Sequence, residues 1–248
     1  MGRREKHWGI ILRRQRTSEA NRVLDIIRSD GRLMQCVARG AAKSKKRFVG
    51  ALEPFTSAVF RIHCGRGRPS IEAVDELHSR FGISHSVKSL AVASCICEWL
   101  LRTPGMLDSC ERELRIVADI MDLLEREDCK AELIMFVFEV KLLQWAGCLP
   151  SLMQCPDCGK AFADGEEIVF SNREGGLIHS SCYGNVNDEL RVHSDVRRLM
   201  RVFETKDPIT CSRIKTNKRQ NYELNRIIVH LLEIHFGFRV MSRGMVFD

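Results

Sequence analysis

Four residues in the second half of the chain have the types and spacing of metal ligands. Cys155 and Cys158 form a CxxC pair, and His179 and Cys182 form an HxxC pair 20 residues further on. Zn²⁺ takes four nitrogen or sulfur ligands at tetrahedral angles, and one short turn can present two of them. Pairs at this separation match the spacing of zinc ribbons. The sequence therefore predicts one zinc ion per chain, with four ordinary loop residues as the alternative.

The predicted zinc is structural. Four protein ligands leave no coordination position for water or substrate, whereas a catalytic zinc keeps one open. Iron–sulfur clusters usually take cysteine alone, so His179 favours zinc over a cluster. Cys148 is a possible substitute ligand, but its place at the end of an apolar helical pattern favours packing.

The motifs of common enzyme classes are missing. The sequence contains no HExxH, H-x-E, GxxxxGK[ST], GxGxxG or GxSxG pattern, which argues against zinc hydrolases, deaminases, nucleotide-binding enzymes and serine hydrolases. Glu139-Val140-Lys141 resembles the end of a nuclease motif, but no Asp accompanies it and a helix-surface pair is preferred. We predict that the protein is not an enzyme, with a zinc-dependent nucleic-acid-processing enzyme as the alternative.

Basic residues are concentrated near the N-terminus. Residues 1–70 contain 17 Lys and Arg against 5 Asp and Glu, a formal charge of +12, whereas the rest has 22 basic and 27 acidic residues, a charge of −5. Such asymmetry indicates a polyanionic partner, namely nucleic acid. A basic face that only improves solubility, on a protein-interaction scaffold, is a weaker alternative. The residues predicted to contact phosphates are Arg13, Arg14, Arg16, Arg39, Lys43, Lys45, Lys46 and Arg47.

Aromatic residues are too few in this region for a protein that binds bases mainly by stacking. Only Trp8 and Phe48 are plausible stacking residues, because Phe55 and Phe60 alternate with polar neighbours and are expected in the core. Contacts that follow the phosphate backbone, with limited stacking, fit better.

The elements that must position these residues change along the chain. Residues 7–80 contain five short apolar runs separated by turn signals such as Asp30-Gly31, which predicts a small closed or half-closed barrel. After about residue 84 the apolar period becomes helical, with segments that end near Pro104 and Gly147 and two later amphipathic helices at about 189–204 and 221–236. A hairpin around Asn172–Gly176 is expected to bring the two ligand pairs together.

No apolar run is long enough to span a membrane, and the N-terminus lacks the apolar core of a signal peptide. We therefore expect a cytoplasmic protein without membrane contacts. The eleven cysteines are compatible with this, since Cys95 and Cys97 lie in apolar helical patterns and the odd count disfavours full disulfide pairing.

Two blocks of the sequence resemble the bacterial recombination mediator RecO family. The first is WGIILRRQRTSEANRVLDIIRSDGRLMQCVARGAAKSKKRFVGALEPF, with its basic first strand, Gly31-Arg32-Leu33 and Leu52-x-Pro54-Phe55. The second is FEVKLLQWAGCLPSLMQCPDCG followed by FSNREGGLIHSSC. Together they cover nearly the whole chain in the family's order.

This resemblance implies an α+β protein, with an N-terminal OB-fold β-barrel followed by an all-α bundle domain with a zinc-binding insertion. The domains would be residues 1–80 and 84–248, with the insertion at 150–186. The zinc ligands carry over as Cys155, Cys158, His179 and Cys182. Many members have Cys where this chain has His179, and both residue types bind zinc.

The resemblance also implies a function in DNA repair and homologous recombination. The protein would bind single- and double-stranded DNA, anneal complementary strands and help RecR to load the recombinase. The C-terminal tail of the single-strand binding protein is a further expected partner, RecF is a candidate, and the expected location is the nucleoid.

Overall fold

The structure is a computed structural model that describes residues 2–17, 20–41, 48, 50–103, 105, 111–171, 175–183 and 190–247. It is α+β, with a sheet of five strands followed by helices and a second, small sheet. The first five strands are β1 (Arg3–Arg16), β2 (Arg22–Arg28), β3 (Leu33–Ala38), β4 (Ser57–Cys64) and β5 (Ser70–His78). The later strands are β6 (Ile168–Ser171), β7 (Gly176–His179) and β8 (Leu190–Val192).

Seven α-helices lie within the described residues. They are α1 (Val87–Arg102), α2 (Glu111–Leu124), α3 (Ala131–Trp145), α4 (Ser194–Thr205), α5 (Pro208–Ser212), α6 (Lys218–Phe236) and α7 (Gly244–Phe247). No helix in this described part is long and apolar enough to cross a membrane. The chain divides into two compact units, one formed by Met1–Ala131 with Val240–Asp248 and the other by Glu132–Arg239. The predicted boundary between residues 80 and 84 stays a prediction.

The five N-terminal strands form a closed barrel in the order β1-β2-β3-β5-β4. β1 is long enough to pair with β4 through its first half and with β2 through its second half. The β2–β3 hairpin turns at Gly31, whose φ of 77° is left-handed, as the Asp30-Gly31 signal predicts. A close approach of β2 explains Gly9, because a Cβ there would lie 2.4 Å from the Ile27 carbonyl oxygen.

The barrel interior is apolar. Its largest fully buried members are Ile11, Leu24, Ile26, Phe60, Ile62 and Ile71. The side chains of β1 do not alternate strictly between the interior and the surface, since Ile10, Ile11 and Leu12 are all buried. The register against β2 shifts between Ile11 and Arg13, and such a bulge changes the side on which the following residues lie.

Arg80 joins the barrel to α2 inside the first unit. Its side chain is 1% exposed. The guanidinium donates to the Phe55 carbonyl at 2.7 Å, to Ser57 Oγ at 3.2 Å and to Asp122 Oδ1 at 2.5 Å. Phe55 has a left-handed φ of 70°, which is uncommon for a residue with a side chain. The bond from Arg80 therefore supports an unusual backbone conformation just before β4.

The second unit is built on α3, whose central residues are buried all round. Lys141 lies in this buried helix and its Nζ donates to the Lys206 carbonyl at 2.9 Å, just beyond the end of α4. Glu139 is also buried, so the interpretation of Glu139 and Lys141 as a surface pair is wrong. The predicted start of a helix near residue 189 is wrong as well, because β8 occupies 190–192 and pairs with β6 before α4 begins.

Candidate metal centre and nucleic-acid interface

The two predicted ligand pairs come together in the second unit. The ligand atoms of Cys155, Cys158, His179 and Cys182 all lie within 4.8 Å of one another. The hairpin of β6 and β7 carries His179 at its end, and Cys182 follows in a short 3₁₀ turn. The predicted hairpin is thus confirmed, although residues 172–174 at its tip lie outside the described residues.

A tight turn presents the first pair. The amide of Gly159 donates to the Cys155 carbonyl at 2.9 Å, and the Cys155 amide donates to the Lys160 carbonyl at the same distance. Gly159 has a φ of 71°, which allows the chain to reverse directly after Cys158. This loop resembles the turn that presents two zinc ligands in zinc ribbons.

The electrostatics of the cluster favour a thiolate at Cys155. Desolvation raises the pKa of this thiol, but hydrogen bonds from the amides of Cys158, His179 and Asp157 outweigh it and lower the pKa to about 6. Desolvation and the neighbouring thiols Cys158 and Cys155 raise the pKa of Cys182 to about 12. Several thiols confined to one place oppose each other's ionisation, and a divalent cation relieves that repulsion.

The donor set fits zinc. Three sulfurs and one imidazole nitrogen are the ligands of a Cys₃His structural site, and all four positions of a tetrahedral ion would be filled by protein. When bound, the ion would cross-link the turn after Cys155 to the β6–β7 hairpin. The turn and the hairpin hold the four ligand residues in the positions between which that cross-link would form.

Two of the predicted DNA contacts are already paired with carboxylates. Arg13 Nε donates to Asp25 at 2.7 Å, and Asp25 also accepts from Gln35 of the next strand at 2.8 Å. Arg14 is paired with Glu53. These two arginines therefore carry less net positive potential than the sequence suggests.

Two other predicted contacts, Arg16 and Arg39, are exposed and have no carboxylate partner among the residues that the structure describes. The same holds for Arg66 and Arg68 in the turn between β4 and β5, which the sequence reasoning did not single out. The GRGRP sequence shows that this turn is basic. Only closure of the barrel shows that the turn lies beside β3.

The segments that carry these four arginines meet along one part of the barrel wall. Arg16 lies opposite Arg22 in the register, and Arg22 lies opposite Ala38, the residue before Arg39. The turn from β4 enters β5 beside the same end of β3, where the Val37 amide donates to the Pro69 carbonyl at 2.8 Å. We call Arg16, Arg39, Arg66 and Arg68 the unpaired arginines.

The remaining predicted contacts, Lys43, Lys45, Lys46 and Arg47, lie outside the described residues. Phe48 is buried in the barrel core, so the expectation that it stacks on bases is wrong. Trp8 is half-buried, and the guanidinium of Arg115 lies over its ring at 5.1 Å. One face of Trp8 is therefore already occupied.

The fold and the cluster define the class: an α+β protein with a small N-terminal barrel, helices and a Cys₃His metal-ligand cluster. The chain matches the family model "Recombination protein O N terminal" over residues 1–80 and "Recombination protein O C terminal" over residues 84–244. It therefore belongs to the recombination protein O family.

Relatives from several bacteria cover most of the chain. A protein of Alkaliphilus metalliredigens is 23% identical over 92% of each chain, and one of Bacillus pumilus is 25% identical over 96% of this chain and 91% of its own. A protein of Rubrobacter xylanophilus is 30% identical over 70% of this chain and 69% of its own. All three are named DNA repair protein RecO.

Proposed function

We propose that this protein acts in DNA repair and homologous recombination as a non-enzymatic mediator. It binds single- and double-stranded DNA, anneals complementary strands and helps RecR to load the recombinase at the nucleoid. The tail of the single-strand binding protein is a second protein partner, with RecF as a third candidate. Family membership supports the pathway, and the unpaired arginines are the observation that carries DNA binding.

We further propose that the barrel is an OB fold and forms the DNA-binding domain of residues 1–80. A path through paired residues supports this proposal: it runs from Gln15 through Val23 and Val37 to Ser70, then through His63 back to β1 at Arg4. The path returns to β1 at Arg4, far from Gln15, because the strands are strongly staggered, as closure of a five-stranded barrel requires. OB folds bind oligonucleotides over their second and third strands and adjoining loops.

The unpaired arginines lie at the edge of that face. Each can neutralise a phosphate without first giving up a carboxylate, and phosphate contacts provide affinity without sequence preference. Annealing requires two negatively charged strands to approach each other. A surface that places several cations beside β3 would reduce the repulsion between them, and this step needs no nucleotide hydrolysis.

The proposed role of the metal is structural. Zinc held by the four ligands would cross-link the chain between α3 and α4, within the proposed zinc-binding insertion at residues 150–186. The helical domain of residues 84–248 would then present this insertion.

A salt titration of DNA binding tests the proposal. Fluorescence anisotropy of a labelled single-stranded oligonucleotide should give a log–log salt slope that falls by about 0.7 for each unpaired arginine changed to Gln. Because the affinity for DNA varies as a power of the salt concentration, the loss of one phosphate contact should lower the affinity at 0.1 M salt about fivefold. The variants are Arg16→Gln, Arg39→Gln, Arg66→Gln and Arg68→Gln.

The matched control is the double variant Arg13→Gln with Asp25→Asn, which removes a paired arginine and keeps the local net charge. Its slope should equal that of the unchanged protein. If the control loses as much slope as the single variants, pairing with carboxylates does not decide which arginines meet DNA. If the four variants together leave the slope unchanged, DNA does not bind at this part of the barrel.

A further inference from the structure

We propose that Glu166 is a positioning residue for the metal centre. It holds the imidazole of His179 in the tautomer and the orientation that present Nδ1 to the ion. This inference rests on the proposed metal binding and names the residue that makes histidine an effective fourth ligand. Glu166 itself would not touch the metal.

The two ring nitrogens of His179 face different partners. Nδ1 lies 3.3 Å from Cys158 Sγ, on the side of the three sulfurs, and Nε2 lies 3.1 Å from Glu166 Oε2. A neutral imidazole carries one N–H, and an ionised carboxylate can only accept a hydrogen bond. The proton therefore belongs on Nε2, and the lone pair of Nδ1 points toward the sulfurs.

Glu166 is held in place from its own loop. The amide of Ala163 donates to the same Oε2 at 2.7 Å, so the oxygen that meets His179 is fixed by a backbone group only three residues away. The Phe162 ring meets the His179 ring edge-on, with centroids 4.9 Å apart. The loop from 162 to 166 thus restrains the imidazole through both a ring contact and a hydrogen bond.

A buried cation compensates the added negative charge. Arg197 of α4 is 5% exposed, donates to the Leu152 carbonyl at 2.8 Å and lies over the Phe162 ring at 5.4 Å. Its charge attracts both Asp164 and Glu166. A carboxylate beside a centre with three thiolates would otherwise weaken metal binding by repulsion, since each thiolate already carries a negative charge.

A purely superficial ion pair is the competing explanation, because the Glu166 side chain is 42% exposed. Exposed pairs contribute little to stability. The two explanations differ in what they predict for the metal. A surface pair leaves metal affinity unchanged, whereas loss of the partner that orients a ligand typically weakens affinity 10- to 100-fold.

The experiment measures zinc affinity of the full chain by competition with a chromophoric chelator. Glu166→Ala should weaken zinc binding by about 10- to 100-fold, and Glu166→Gln by less, since its amide oxygen can still accept from Nε2–H. The control is Glu167→Ala, a neighbouring carboxylate whose side chain is 73% exposed, which should leave the affinity unchanged.

The H179C variant tests whether the effect of Glu166 on zinc affinity depends on histidine as the fourth ligand. Cysteine has no second nitrogen to orient, so in the H179C background Glu166→Ala should have no effect on zinc affinity or should increase it. Nitrogen-15 NMR of the metal-free protein provides an independent readout, because it should show the proton of the neutral His179 imidazole on Nε2. In the metal-free Glu166→Ala variant this single tautomer should give way to a mixture of the two tautomers.

Three outcomes overturn the inference. If the unchanged chain binds zinc and Glu166→Ala binds equally well, Glu166 does not position the ligand, and the metal site stands. If Glu166→Ala weakens binding equally in both backgrounds, its effect is general electrostatics or folding. If the unchanged chain binds no zinc at all, the proposed metal site fails together with the role of Glu166.

Discussion

Replacing Arg80 should destabilise the first compact unit more than replacing any arginine on its surface. The side chain is 1% exposed and joins the backbone before β4 to α2 through three short contacts. Arg80→Met keeps most of the volume and removes the donors. The Phe55 carbonyl, in a left-handed residue, would then lose the group that supports it.

The size of the effect follows from these contacts. A hydrogen bond from a charged donor is worth about 1.5–3 kcal/mol, and an unsatisfied buried acceptor costs about 1–3 kcal/mol. The ion pair with Asp122 adds little stability, because that carboxylate is 44% exposed and exposed ion pairs contribute about 0–1 kcal/mol. The burial of the guanidinium is itself unfavourable and is relieved by Met. We expect a net loss of about 2–4 kcal/mol in the free energy of unfolding.

Urea unfolding followed by tryptophan fluorescence measures this loss. The control is Arg61→Met, which removes an arginine from the same barrel that is 50% exposed and paired with Asp75; it should lose less than about 1 kcal/mol. Arg80→Lys should lie between the two, because one ammonium cannot replace a planar fork of donors. A loss below about 1 kcal/mol for Arg80→Met, or one equal to that of the control, would show that the buried hydrogen bonds of Arg80 do not stabilise this unit.

Three further predictions concern the metal, the second unit and acid. Chelation should lower the melting temperature, and added Zn²⁺ should restore it; an unchanged melting curve would show that no metal supports the fold. Lys141→Met should cost about 1–3 kcal/mol in urea unfolding, because the Lys206 carbonyl beyond α4 loses its buried donor, and a neutral result would mean that water replaces it. Burial raises the pKa of Glu98, but hydrogen bonds from Ser242 and Met241 outweigh it and lower the pKa below its usual value. The ionised carboxylate therefore stabilises the fold above pH 4.5, and melting curves from pH 6 to 3 should show that contribution disappear on acidification, but not in Glu98→Gln.

Local patterns in the sequence predicted many of the elements. Asp30-Gly31 marked the β2–β3 hairpin, and the apolar face of α6 is buried as its periodicity indicates. The metal-ligand cluster was predictable for the same reason. A few consecutive residues determine each of the two ligand-bearing turns and the β6–β7 hairpin. Only one long-range contact is then needed to bring the two ligand pairs together.

Long-range contacts decided what the sequence could not show. Arg13 and Arg16 look equivalent in the sequence, but only Arg13 faces an aspartate of the neighbouring strand. Lys141 reads as a surface residue because its acceptors lie more than 60 residues away, at the end of another helix. Nothing in the local sequence marks Glu166, because its contact with His179 depends on how the loop folds back.

Strand annealing is the decisive measurement for the proposed mediator function. Two complementary oligonucleotides, one labelled, would be mixed without nucleotide at low and at moderate salt, with and without folded, metal-loaded protein. We predict faster duplex formation, loss of that acceleration as salt rises, a weaker effect when the four unpaired arginines are changed to Gln, and oligonucleotides of unchanged length. No acceleration at low salt would contradict the proposed annealing function, and shortened strands would favour a nucleic-acid-processing enzyme.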